Sequence, residues 1–259
     1  MLTRRVIVCL DVDGGRVKKG TRFRDLRTHG TPAQMASAYE RDGADEIVFL
    51  DISATIAGRK TTLGEVRSTA AALTIPLTVG GGVSTVQDIA ETLRAGADKV
   101  AINTAAVEHP RLITDAAKRF GAQCVVVSID AQRNGGSWQV ATHGGRRITT
   151  LDAVEWAERA VALGAGELLV TSIDRDGTAQ GYDIELTRAV AERVSVPIVA
   201  SGGAGEPAHL ADALQCGADA VLVAGIVHRG EETVRGLKAY LARAGFVMRD
   251  VVQEAVHLA

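Results

Sequence analysis

The chain has 259 residues, 46% hydrophobic and 23% charged, with 29 Lys+Arg set against 31 Asp+Glu for a formal net charge of −2. Such a composition fits a globular chain with a large core and excludes disorder as its main state. The near-neutral balance, with four Phe, three Tyr and two Trp scattered along the chain, excludes a basic footprint for nucleic acid or an anionic membrane and a base-stacking platform.

Short β-branched runs alternate with longer amphipathic stretches from one end to the other. The first strand is predicted at Val6–Leu10, followed by a Gly-rich, basic stretch, Asp13–Gly30, read as a loop long enough to cover a site as a lid. A helix over Thr31–Asp42, a strand at Glu46–Leu50 and a helix over Thr62–Leu73 come next. The pattern continues with strand Leu77–Val79, helix Val86–Arg94, strand Lys99–Ile102, helix Pro110–Phe120 and strand Cys124–Ile129. In 134–150, Gly135-Gly136 and Gly144-Gly145 bracket Trp138–Thr142, which reads as a small inserted hairpin. Helix Leu151–Leu163, strand Glu167–Thr171, helix Ile184–Arg193, strand Pro197–Ala200, helix Pro207–Gln215, strand Ala220–Ala224 and helix Glu231–Ala244 complete the series. Pro110 and Pro207 suit a first helical turn, where the missing N–H has no partner to lose. Eight βα units in one domain, residues 1–259, predict an α/β fold, a single (β/α)8 TIM barrel.

The two halves match each other. Pro76-Leu-Thr-Val-Gly80-Gly81-Gly82 aligns with Pro197-Ile-Val-Ala-Ser201-Gly202-Gly203, and Gly96-Ala-Asp98 with Gly217-Ala-Asp219, both pairs 121 positions apart (197 less 76, 217 less 96). Cys9-Leu-Asp11 likewise faces Ser128-Ile-Asp130. A period of half the chain is no solenoid; it predicts two half-barrels of approximate two-fold symmetry, about 1–121 and 122–259.

Catalytic groups of such barrels project from the C-terminal strand ends. Asp11 and Asp130 would end strands one and five, which stand opposite in a ring of eight, so the two carboxylates suit general acid and base roles on one substrate. Either alone would read as a cap on the loop that follows; their equivalent positions in the repeat favour function. The duplicated loops Gly80-Gly81-Gly82 and Ser201-Gly202-Gly203, with Asn103-Thr104 and Ala224-Gly225, expose backbone N–H groups, a means of holding two phosphates without added positive charge. A formal match of Gly203-x-Gly205-x-x-Ala208 to a dinucleotide fingerprint carries little weight, because the first half lacks it. Cys9, Cys124 and Cys216 lie far apart beside apolar runs, with no C-x-x-C and no Cys/His cluster, so no zinc site, disulfide framework, metal or cofactor is expected. Met1–Arg5 leads straight into an apolar run shorter than a signal h-region or a membrane span, and a cytoplasmic location is expected.

The segments Cys9-Leu-Asp11-Val12, Val17-Lys18-Lys19-Gly20, Phe49-Leu-Asp51-Ile52, Val79–Gly82, Asp98–Ala106, Ser172–Thr178 and Ala200–Gly205 together resemble the cyclase subunit family of imidazole glycerol phosphate synthase, over essentially the whole chain. The resemblance implies attack of ammonia on the ribulosyl carbonyl of a bis-phosphorylated formimino-aminoimidazole-carboxamide ribonucleotide. Ring closure and cleavage would give imidazole glycerol phosphate, for histidine synthesis, and an aminoimidazole-carboxamide ribotide. It also implies Asp11 and Asp130 as catalytic residues, with Lys19 on the lid. Phosphates would rest on Gly82, Asn103 and Thr104 at one side, and on Asp176, Gly177, Gly203, Ala224 and Gly225 at the other. Gly225 departs from the serine usual in that family, and Asp13-Gly14-Gly15 from its usual Lys-Asp-Gly.

Arg5, Glu46, Lys99 and Glu167 stand at strand starts, where unaided reading makes them solvated ends or a four-charge ring. In the resembling family such a ring marks the entrance for ammonia released by a separate glutaminase subunit. No Cys here has the His and Glu of an amidotransferase, so a heterodimer with that subunit at the N-terminal face is expected. The rival readings are the related half-barrel isomerase, disfavoured by Cys9-Leu-Asp11, Lys19 and the four charges, and a silent binding barrel, disfavoured by two opposed aspartates.

Overall fold

The computed structural model describes residues 3–21, 24–55 and 57–249, with only the backbone path for 19–21 and 24–29. In chain order its elements are β1 (Arg5–Asp13), β2 (Arg16–Thr21), β3 (Arg24–Gly30), α1 (Pro32–Arg41), β4 (Glu46–Asp51), α2 (Leu63–Ala70), β5 (Leu77–Gly80), α3 (Val86–Arg94), β6 (Lys99–Ile102), α4 (Thr104–Glu108) and α5 (Arg111–Phe120). They continue with β7 (Val125–Asn134), β8 (Ser137–Thr142), β9 (Arg147–Asp152), α6 (Ala153–Leu163), β10 (Glu167–Ser172), α7 (Ile184–Ala191), β11 (Ile198–Ser201), α8 (Pro207–Gln215), β12 (Ala220–Val223), α9 (Gly225–His228) and α10 (Val234–Arg243). The strands β1-β4-β5-β6-β7-β10-β11-β12 pair in parallel in that order, and β12 returns to β1, closing a (β/α)8 barrel.

Alternation along each strand sorts the side chains into two cores. On β1, Val6, Val8, Leu10 and Val12 pack outward against the helices, whereas Ile7 and Cys9 join the barrel interior. On β7, Val125, Val127 and Ile129 face the helices and Val126 the interior; on β10, Leu168 and Val170 face out and Leu169 in. The interior is completed by Val48, Ala101, Val199, Ala220, Leu222 and Ala224, mostly small or β-branched residues that fill a closed barrel. Strands covered on both faces need no polar side, which is why the runs read as continuously apolar.

Two stretches differ from expectation. The described residues of Asp13–Gly30 form strands instead of a loop: β1 runs on to Asp13 and pairs antiparallel with β2, and β2 pairs antiparallel with β3. Gly14 and Gly15, with φ of +58° and +73°, make the two-residue turn that this pairing requires. Val17 is fully buried beyond it, and Lys18 closes an ion pair with Asp13 at 2.5 Å. The second difference is the pair of short helices, α4 and α9, that open right after β6 and β12. Pro110 precedes α5 as its cap residue instead of entering its first turn, while Pro207 does begin α8. The inserted hairpin is β7-β8-β9, turning at Gly135-Gly136. Arg133 lies over the Trp138 ring at 4.8 Å, and Trp138 Nε1 donates to Asp183 at 2.9 Å, which pins the hairpin to the segment after β10.

Helix α3 begins with a capping box, Thr85 accepting from Asp88 N–H at 3.1 Å and Asp88 accepting from Thr85 N–H at 3.0 Å. Thr85→Ala should cost about 1 kcal/mol, read as a fall in thermal midpoint of about 2–4 °C; an unchanged midpoint would show that Lys60, 2.8 Å from Asp88, holds that end unaided.

Candidate active site

The C-terminal mouth of the barrel opens into a cavity of about 940 Å³. Asp11, Gly82, Asn103, Thr104, Asp130, Asp176, Gly177, Gly203, Ala224 and Gly225 all line it. β1 and β7 lie four strands apart in the ring of eight, so Asp11 and Asp130 approach the cavity from opposite walls. Asp11 has the same inward parity as Ile7 and Cys9, is 7% exposed, and accepts from Cys9 Sγ at 3.4 Å. Asp130 is enclosed by protein but keeps an edge on the cavity, and it accepts from Asn103 Nδ2 at 3.0 Å. Burial pushes its carboxyl up to about 7; the Asn103 bond opposes this, and the negative charges of Asp176 and Asp11 add to it.

The glycine loops are tight for a packing reason as well. A Cβ on Gly81 (φ +89°) would lie 2.1 Å from the Asp51 carbonyl oxygen, and one on Gly203 (φ +110°) 2.1 Å from that of Gly181. No other residue fits either turn. Gly82 N–H donates to Thr55 Oγ1 at 3.1 Å. Asp51, which sequence reasoning gave no role, grips Arg59 through both nitrogens at 2.7 Å and accepts from Ala54 N–H, so it organises the loop that Gly81 packs against.

Side-chain roles at this mouth were the least legible part. Asn103, expected beside a phosphate, turns its amide to Asp130 and to the Ala141 carbonyl, both at 3.0 Å. Thr104 Oγ1 accepts from the His143 N–H at 2.9 Å, joining the β8-β9 turn to the rim. The N–H of Asp176 is taken by Ser172 O, and its buried carboxylate raises the pKa of Asp130. Lys19 has its backbone in β2, and its side chain lies outside the described residues.

At the other end of the same interior, Arg5, Glu46, Lys99 and Glu167 form a closed ring. Arg5 meets Glu46 at 2.9 Å and pairs closely with Glu167, while Lys99 Nζ lies 2.8 Å from Glu46 and 2.6 Å from Glu167. Burial would raise Glu167, but Arg5 and Lys99 outweigh it and hold the carboxyl below its usual value. Thr78, which the sequence did not single out, donates to Glu46 at 2.5 Å from the neighbouring strand β5.

A family model described as histidine biosynthesis protein matches residues 5–233. The chain is 60% identical over 252 residues to the imidazole glycerol phosphate synthase subunit HisF of Myxococcus xanthus (strain DK1622), an alignment covering 97% of this chain and 100% of that relative. Over 250 residues it is 58% identical to the subunit of the same name from Metallosphaera sedula, covering 96% and 100%. The chain belongs to the HisF family. It is therefore an imidazole glycerol phosphate synthase subunit of histidine biosynthesis, and the isomerase and silent-barrel readings are set aside. Among the described residues, no helix of this HisF-family chain is long and apolar enough to cross a membrane.

The raised pKa of Asp130 has a consequence for stability. The folded chain binds this proton more tightly than the unfolded chain, so stability falls as pH rises from about 4 to about 7 and is level above. Asp130→Asn should remove that slope and stabilise the protein above pH 7 by on the order of 2 kcal/mol, discounted for water in the cavity. Denaturant unfolding of both proteins at pH 5 and pH 8 measures it; parallel pH dependence would show that Asp130 titrates normally.

Proposed function

We propose that this HisF-family chain is the cyclase subunit of imidazole glycerol phosphate synthase, a lyase working in the cytoplasm with ammonia delivered by a separate glutaminase subunit. The observation that carries the reading is the pair of carboxylates at equivalent positions of the two halves, Asp11 and Asp130, facing one cavity across the barrel mouth.

The substrate carries a phosphate at each end, and the loops at Gly82 with Thr104, and at Gly177, Gly203, Ala224 and Gly225, provide a cradle on each side of that cavity. Held by its ends, the substrate has its ribulosyl carbonyl between the aspartates, which removes much of the entropic cost of bringing groups together. Near neutrality Asp130 still carries a proton for part of the population, so it is the general acid toward the carbonyl oxygen as ammonia adds. Asp11 takes the proton from the attacking nitrogen. Asn103 holds the Asp130 carboxyl in place through Nδ2. Loss of the carbonyl oxygen as water, ring closure and C–N cleavage then release imidazole glycerol phosphate and the aminoimidazole-carboxamide ribotide. Lys19, whose backbone lies in β2, serves the same site by the family resemblance.

Ammonia enters from the opposite end. The ring of Arg5, Glu46, Lys99 and Glu167 closes the base of the barrel, and the interior above it is lined by Cys9, Val48, Ala101, Val126 and Leu169. Neutral ammonia crosses such a lining, whereas ammonium would lose its hydration without compensation. Passage requires one contact of the ring to open, and docking of the glutaminase at this face supplies the trigger.

With saturating ammonium salt, the purified protein should convert the bis-phosphorylated substrate, and Asp11→Asn or Asp130→Asn should each lower kcat by at least about 10²-fold with the fold intact by circular dichroism. Wild-type activity in either variant would remove that carboxylate from the mechanism. Glutamine should replace ammonium only when the glutaminase subunit is added; turnover of glutamine by this chain alone would overturn the partnership.

A further inference from the structure

The two phosphate cradles are equivalent by the internal repeat, but their side chains are not. Thr104, one residue past the inward Asn103, corresponds to Gly225, which stands 121 positions later (225 less 104). One half therefore has a hydroxyl at this point of the rim and the other has no side chain. Four residues on, the equivalents are Glu108 and Arg229, and both line the cavity.

The missing side chain at position 225 leaves a space that Arg229 fills. Its guanidinium folds back over one turn of α9, and Nη1 lies 2.6 Å from the point a Cβ on Gly225 would occupy, with Cζ at 3.4 Å. The orientation is held from behind: Nε and Nη2 each donate to the Glu231 carboxylate at 2.7 Å. A guanidinium gripped along one edge presents its remaining N–H groups along the other, and here that edge faces Gly225 and the cavity. The side chain is 45% exposed, so the contact remains open to a ligand arriving from the mouth.

We propose that Arg229 is a phosphate-contacting residue of the second-half cradle, its Nη1 standing in for a side chain at position 225 and making that cradle the stronger of the two. The proposal rests on the cyclase reading for the identity of the ligand, a bis-phosphate, and on Arg229, Glu231 and Gly225 for the contact. A Cβ at 225 would meet Nη1, so a side chain there would displace the guanidinium. Guanidinium suits a phosphate monoester because two N–H groups meet two oxygens. Glu108 at the equivalent position repels such an anion, so the substrate's two ends meet different fields and its direction in the cavity is selected.

The test is steady-state kinetics of the full-length protein with saturating ammonium, varying the bis-phosphate. Arg229→Gln should raise KM about fivefold to tenfold while kcat stays within about twofold, since uniform binding is lost and the reacting centre is untouched. Arg229→Lys should fall between, keeping the charge without the fork. Gly225→Ser alone should raise KM by displacing the guanidinium, whereas Gly225→Ser in the Arg229→Gln background should recover part of the loss, its hydroxyl taking the vacated space. A KM for Arg229→Gln equal to wild type, with normal circular dichroism, overturns the proposal. Titration of inorganic phosphate onto wild type and Arg229→Gln, followed by ³¹P NMR, separates the two levels. Weaker phosphate binding in the variant, with no turnover of the bis-phosphate by wild type, leaves the contact standing and removes the cyclase reading. Turnover by wild type with unchanged KM and phosphate binding in the variant removes the contact alone.

Discussion

Everything in this molecule depends on the two-residue period of eight strands closed in parallel register. Once β12 pairs with β1, every second side chain of every strand points into one shared interior. On β1 that inward column reads Arg5, Ile7, Cys9, Asp11; on β10 it reads Glu167, Leu169, Thr171. The charges of the basal ring and the groups of the mouth are the two ends of the same columns, separated by an apolar middle. A one-residue slip of any strand would put its charge against the helices and leave a hydrophobe at the site.

That geometry also sets the electrostatics. The apolar middle and the enclosing loops strip water from Asp130, and the carboxylates of Asp11 and Asp176 deepen the effect, so an ordinary aspartate becomes one that exchanges protons near neutrality. At the base, the same desolvation acts on Glu167, but there Arg5 and Lys99 outweigh it and hold the carboxyl below its usual value. One barrel thus holds a carboxyl raised toward neutrality at one end, Asp130, and a carboxylate held below its usual value at the other, Glu167. At the rim, Gly81 and Gly203 make turns that only glycine can make, which brings the loops of the two halves close around the same cavity.

The strands of the (β/α)8 barrel were legible because burial on both faces writes itself as continuous β-branched runs. The opposed placement of Asp11 and Asp130 followed from strand counting alone. What escaped reading was everything set by side-chain direction. Asn103 serves Asp130, Thr78 serves Glu46 and Asp51 serves Arg59 across strand or loop boundaries, and pair partners of that kind carry no local pattern. The hairpin after β1 did leave a signal, since Gly14-Gly15 is a two-residue turn pair, but the polar, basic flanks resembled a loop and outweighed it. Arg229 also had a mark in the sequence, a glycine four residues before an arginine at a helical spacing, whose meaning depends on the fold that brings both to the mouth.

Enclosure in the barrel mouth makes Asp130 an acid of neutral pH opposite Asp11. Carboxyl ¹³C NMR titration of aspartate-labelled protein, assigned by its difference from Asp130→Asn, measures this directly. A resonance for Asp130 with a midpoint at about 7 is expected; a midpoint near the ordinary aspartate value of about 3.9 would show that enclosure leaves this carboxyl unshifted.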